Sequence, residues 1–156
     1  MRILGIDPGT GRTGYAVLEH QKNKTRLLEA GCITTGSTEA DSDRLLEIKQ
    51  DLAQIIKKWE PDTACLESLF FTSNAKTAIK VGQARGVAMV VAAEHKLKIV
   101  EVTPLQVKIA TTGYGKADKK QVQRMIQKLL NLKKIPKPDD AADAAAIAWA
   151  GIGRSS

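Results

Sequence analysis

Four acidic residues on three separate stretches could do chemistry in this sequence. Asp7 closes one apolar run, Glu67 closes another, and Asp140 and Asp143 stand three apart in a run of alanines. Each lies where a segment buried on both sides would stop, so the carboxylates can meet at one edge of one sheet. Gathered there, they repel one another unless metal ions hold them. Such hard oxygen donors suit Mg²⁺, with Mn²⁺ as its substitute. A nuclease site is the chemistry such a constellation serves. Each acid also has a plainer reading: Asp7 as a turn former, Glu67 as a surface charge, Asp140 as a helix cap and Asp143 as a solvated helix residue. Asp139, four before Asp143, competes with Asp140 for a place on the same helix face.

The elements that must position these acids follow from periodicity. Arg2 to Asp7 and Gly14 to Glu19 read as a hairpin-like pair of strands around the turn Pro8 to Gly11, and Arg26 to Thr35 reads as a third strand. Leu45, Leu46, Ile48, Leu52, Ile55 and Ile56 recur at helical spacing between Asp41 and Trp59, with Ser42 or Asp43 as expected cap and Pro61 beyond the end. Thr63 to Leu66 is a short buried strand, Asn74 to His95 a helix rich in small residues, and Lys98 to Val102 a fifth strand. Helices are expected at Pro104 to Ala110, Lys119 to Leu132 and Asp139 to Ala150. This order predicts an α/β fold with a five-stranded mixed sheet flanked by helices on both faces.

The 156 residues fit one domain, and the net charge is +7. Between Lys116 and Lys137 eight basic residues stand against Asp118 alone, an excess equal to that of the whole protein. Such a face concentrates a polyanion, so nucleic acid is the expected partner, with a solvated helix face as the plainer alternative. No run of eighteen apolar residues occurs and Met1 leads at once into a strand-like segment, so no membrane span or signal peptide is expected and the location is cytoplasmic. Cys32 and Cys65 are far apart without metal-ligand spacing and read as reduced core thiols. His20 and His95 read as surface or structural residues.

Gly9-Thr10-Gly11-Arg12-Thr13-Gly14 matches the G-x-G-x-x-G dinucleotide fingerprint, but Tyr15-Ala16-Val17-Leu18 has strand character where that fold needs a helix. Asp7 would also set a negative charge near the pyrophosphate. Gly5-Ile6-Asp7-Pro8-Gly9-Thr10-Gly11 instead resembles the first motif of the ribonuclease H-like superfamily, and within it the RuvC-type Holliday junction resolvases. The actin-like ATPases open with a similar turn, but they close two such domains on a nucleotide. Cys65-Leu66-Glu67 with Phe70 resembles the resolvases' second motif, Gly82-Gln83-Ala84-Arg85-Gly86 matches their middle helix, and Asp140 to Ala148 resembles their last motif. The likeness spans nearly the whole chain. It selects Asp140 over Asp139, which is left as a cap or supporting residue.

The resemblance implies a crossover junction endodeoxyribonuclease of recombination and DNA repair. It implies two Mg²⁺ ions about 3.5–4 Å apart, with Asp7 bridging, Glu67 on the nucleophile side, and Asp140 and Asp143 completing the cage. Products would carry 5′-phosphate and 3′-hydroxyl ends. Lys108 and Lys119 match family lysines near the scissile phosphate, and Lys116, Lys120, Arg124 and Arg85 are further DNA-binding candidates. Phe70 is the expected wedge at an opened crossover, with Leu69 and Phe71 competing. Partners implied are four-way junction DNA, a second copy in a homodimer, and junction-binding and branch-migration proteins of the RuvA and RuvB type. Ala84, Gly86, Ala88 and Ala92 would let the middle helices of two copies pack closely, or would pack on the chain's own sheet. Two other functions stay open: a catalytically silent junction-binding module, and a ribonuclease H-like nuclease for RNA–DNA hybrid or another substrate.

Overall fold

The computed structural model describes residues 1–68 and 74–155. Strands β1 (Arg2–Asp7), β2 (Arg12–Gln21) and β3 (Lys24–Thr34) precede helix α1 (Asp41–Trp59). Strand β4 (Thr63–Glu67), helix α2 (Ala75–Glu94) and strand β5 (Lys98–Val102) follow, and helices α3 (Pro104–Thr112), α4 (Lys119–Leu129) and α5 (Asp139–Ser155) end the chain. The sheet runs β3-β2-β1-β4-β5. Its first three strands are antiparallel neighbours, while β4 pairs in parallel with both β1 and β5. The expected five-stranded mixed sheet is present.

Strand alternation sorts the core into two layers. Ile3, Ala16, Leu18 and Cys65 pack with residues of α3, α4 and α5 on one face. Leu4, Ile6, Val17, Ala64 and Leu66 pack with α1 and α2 on the other. The same period of two sends Asp7, two residues past Gly5, and Glu67, two past Cys65, to the α5 face. The parallel register Gly5↔Cys65 and Ile6↔Leu66 brings these strand ends side by side.

Helix α5 lies unusually close to that face. A Cβ on Gly5 would come within 2.7 Å of the Ala148 Cβ, one on Gly14 within 2.9 Å of the Asp140 Cβ, and one on Gly151 within 2.8 Å of the Cys65 Sγ. Ala141, Ala142, Ala144, Ala145 and Ala148 are fully buried. Small residues on both sides thus set the depth of the helix.

Several boundaries differ from the expectation. Strand β2 begins at Arg12, because its pairing with β3 extends to Arg12↔Thr34, and α5 runs to Ser155. Helix α4 stops at Leu129. Helix α1 starts at Asp41 with Ala40 in the cap position and no side-chain cap bond, so neither Ser42 nor Asp43 caps it; Asp41 and Asp43 sit in the first turn, where the helix dipole favours anions. Asp139 is itself the first residue of α5. Tyr15 to Leu18 lie inside β2, which removes the dinucleotide reading of the glycine turn. Cys65 is a buried core thiol as expected, but Cys32 is only half-buried. Among the described residues no helix is long and apolar enough to cross a membrane.

Replacing Gly5 with alanine should push α5 off the sheet and lower unfolding free energy by about 2–3 kcal/mol or more, measured in urea. Gly153→Ala is the control on the same helix. A Cβ there meets nothing within 4 Å, so it should be neutral or stabilising by up to about 1 kcal/mol.

Candidate active site

The turn after Asp7 is pinned from several directions. Thr13 Oγ1 donates to the Gly9 carbonyl at 2.6 Å, Thr10 Oγ1 donates to the Lys80 carbonyl at 3.0 Å, and Thr35 Oγ1 donates to the Thr10 carbonyl at 2.7 Å. Asp7 pairs with Gly14 across β1 and β2, and Gly14 lies against Asp140. A strand end, its antiparallel neighbour and the first turn of α5 are therefore stacked in one place. Asp7, Glu67 and Asp143 line a cleft of about 290 Å³ together with Lys108 and Val107 of α3, Lys119 and Val122 of α4, and Ala146 and Ile147 of α5.

The electrostatics show how crowded the acids are. Burial, then the charges of Asp143, Glu67 and Asp140, push the Asp7 carboxyl up from 3.8 to about 7, against a smaller lowering by Lys119. Burial followed by Asp143 also raises Glu67, with Lys108 opposing. Basic residues hold the other two. Lys119 Nζ lies 2.9 Å from Asp143 Oδ2, and Arg12 Nε lies 2.9 Å from Asp140 Oδ2. Among the described residues no three acidic, histidine or cysteine side chains converge as a ready-made metal cage. The donor set nevertheless fits hard divalent cations: its carboxylates repel one another, and a cation would favour the charged form of Asp7.

The remaining sequence candidates divide by position. Lys116, Lys120 and Arg124 are exposed, Lys120 and Arg124 one turn apart on α4. Asp118, the only acid of that basic stretch, caps α4 by accepting from the Gln121 backbone N–H at 2.8 Å. Arg85 turns inward, its Nη2 2.7 Å from Glu101 Oε2 and its Nε donating to the Glu67 carbonyl at 3.4 Å, so it braces the strand that ends in Glu67. Phe70, with Leu69 and Phe71, lies outside the described residues. His20 Nδ1 meets Thr25 Oγ1 at 2.8 Å and His95 Nδ1 meets the Val91 carbonyl at 2.9 Å, both local contacts. Arg12 was not singled out from sequence. Its place in the glycine turn hid it, and the signal was the β1–β2 register that sets the turn beside Asp140.

Acids from β1, β4 and the last helix, gathered at one edge of a β3-β2-β1-β4-β5 sheet, define the ribonuclease H-like class of nucleases. Comparison with known proteins narrows this. The family model for crossover junction endodeoxyribonuclease RuvC matches residues 3–150. The chain is 55% identical to the protein of that name from Halothermothrix orenii over 94% of this chain and 89% of the relative, and 53% identical to that from Alkaliphilus oremlandii over 95% and 90%. Its structure matches that of Thermus thermophilus RuvC in complex with a Holliday junction substrate with a TM-score of 0.94 and 33% identity, covering 99% of this chain and 94% of the other. The yeast mitochondrial Holliday junction resolvase Ydc2, at 14% identity and a TM-score of 0.70, shares the fold. The chain belongs to the crossover junction endodeoxyribonuclease RuvC family.

The raised Asp7 carboxyl makes stability depend on pH. A carboxyl with a folded pKa above its unfolded value takes up a proton on folding between the two. The metal-free protein should therefore lose stability as pH rises from 3.8 toward about 7. Asp7→Asn should stabilise chelator-treated protein at pH 8 by on the order of 2–4 kcal/mol, with the gain fading toward pH 5. Thermal melts across that range check it, and Mg²⁺ should raise the melting temperature of the wild type more than that of the variant.

Proposed function

We propose that this chain is a structure-selective endonuclease that resolves four-way DNA junctions in recombination and repair by paired, symmetrical nicks leaving 5′-phosphate and 3′-hydroxyl ends. The observation that carries the reading is the cleft in which Asp7, Glu67 and Asp143 face Lys108 and Lys119, with Asp140 three residues before Asp143 on the same helix. A silent binding module has no use for the burial that drives Asp7 up to about 7.

Bound divalent cations, a pair of Mg²⁺ on this reading, supply charge neutralisation at the phosphate and a more acidic attacking water. Asp7, Glu67, Asp140 and Asp143 hold them. Lys119 and Lys108, on helices that wall the cleft, bind the scissile phosphate and stabilise charge that develops during transfer. Lys116, Lys120 and Arg124 extend that wall along the DNA backbone and make binding salt-dependent. Phe70, three residues after Glu67, takes the role of stacking on opened bases. Arg85 contributes to DNA binding indirectly, through the strand end it braces. Junction-binding and branch-migration proteins are the expected partners, and the DNA substrate places the work in the bacterial cytoplasm.

Matched nicks need two sites held at a fixed separation, which a two-fold dimer supplies. Ala84, Ala88 and Ala92 are buried in the chain's own core. The outward face of α2 instead carries Ile79 and Val90, 63% and 54% exposed, with Gly86 between them. That stripe, at spacings of seven and four residues, supports a partner helix packed on α2.

Incubation with Mg²⁺ and a mobile four-way junction, beside duplex and hybrid controls, tests the substrate: ligatable symmetrical nicks are expected only in the junction. Glu67→Gln should lower the single-turnover rate at least about 100-fold while junction affinity survives. Comparable cutting would refute the assignment. A Cβ on Gly86 meets nothing within 4 Å, so Gly86→Arg should leave the protomer folded but shift sedimentation to a monomer.

A further inference from the structure

Two of the four acids already have a cation from the chain itself. The lysine on Asp143 belongs to the proposed phosphate-binding wall, but the arginine on Asp140 has no such role. Arg12 opens β2 directly after the glycine turn. Its Nε lies 2.9 Å from Asp140 Oδ2, with the Cys32 thiol beside the same guanidinium, and its side chain is 54% exposed against 29% for Asp140. The contact is fixed from both ends. The Gly9 to Thr13 turn holds the arginine's backbone, and the close fit of Asp140 over Gly14 fixes the start of α5.

We propose that Arg12 is an exchangeable counter-ion: it holds the Asp140 carboxylate while no divalent ion is bound, and it gives up this carboxylate when an ion loads. The inference rests on the metal-binding reading of the four acids. Arg12 is thus a positioning residue that competes with the cation. A half-exposed ion pair is weak enough to be displaced, since solvent screens both charges. Asp140 faces Arg12 as Asp143 faces Lys119, so each acid of the helix has a basic partner to give up before it can turn to a cation.

The test is Mn²⁺ binding to DNA-free protein, followed by electron paramagnetic resonance of the free ion. Arg12→Gln should tighten the site roughly 2- to 5-fold, and in an Asp140→Asn background the same change should do nothing, because the carboxylate it guards is gone. A gain that persists in that background would assign the effect to the general field of a removed charge and overturn the proposal, as would an unchanged or weaker affinity in the single variant. Asp7→Asn separates the two readings. If it leaves Mn²⁺ binding intact, the metal site itself is wrong and both fall; if it weakens binding while Arg12→Gln has no effect, only the counter-ion role falls. Circular dichroism melts of each variant establish that it is folded.

Discussion

The approach of α5 to the sheet governs everything at the cleft. Gly5 and Gly14 leave no room for a side chain beneath Ala148 and Asp140, and Gly151 sits as tightly over Cys65. The helix is buried along one side by alanines, so its depth is set by backbone and methyl contacts that cannot reshape themselves as longer side chains do. With depth and register fixed, the first turn of α5 falls over the ends of β1 and β4. Asp140 and Asp143 then face acids whose positions the sheet hydrogen bonds have already set. A position held this firmly lets four like charges share a site that their repulsion would otherwise spread apart.

That repulsion is distributed unevenly. Asp7 is the more deeply buried of the strand-end acids, and burial first, then three neighbouring acids, drive its carboxyl up to about 7. Glu67 is raised by burial and by Asp143, with Lys108 opposing. The outer acids, on the helix, each meet a basic side chain from a different element, Arg12 from β2 and Lys119 from α4. The contrast between desolvated acids at the strand ends and paired acids on the helix follows from geometry. The strand-end acids feel Lys108 and Lys119 only across the cleft, whereas the acids of the helix are in direct contact with a basic side chain.

Much of this was legible in the sequence because it depends on short periods. A period of two in Ile3 to Asp7 and in Cys65 to Glu67 places both terminal acids on one face. A spacing of three in Asp140 and Asp143 places both on one helix turn, and the strand character after Gly14 removed the dinucleotide alternative. What stayed hidden depends on contacts between distant segments. Nothing local marks Gly5 as the floor for Ala148, or Arg12 as the partner of Asp140. The extra residues of β2 come from pairing with Thr34, and the inward turn of Arg85 comes from Glu101 on a neighbouring strand. The cap of α1 was misplaced for the opposite reason: Ser42 and Asp43 are both good caps, and local preference could not exclude a start two or three residues earlier, at Ala40, with no side-chain cap.

A cluster of four acids is a poor place to bring a polyanion, and the basic stretch from Lys116 to Lys137 answers that difficulty at two ranges. On the proposed function its exposed members would act over a Debye length of about 8–10 Å and draw in DNA without touching the acids. Lys119, at the start of α4, acts at 2.9 Å and is tied to Asp143 itself. The helix that carries Lys120, Arg124 and Lys128 therefore also carries a close contact with the acid cluster. A phosphate that draws Lys119 away from Asp143 frees a carboxylate, just as a cation that takes up Asp143 frees the lysine. By linkage each event favours the other. On the proposed function such a site would be electrostatically complete only with cation and phosphate together, and Arg12 and Lys119 already hold two of its acids.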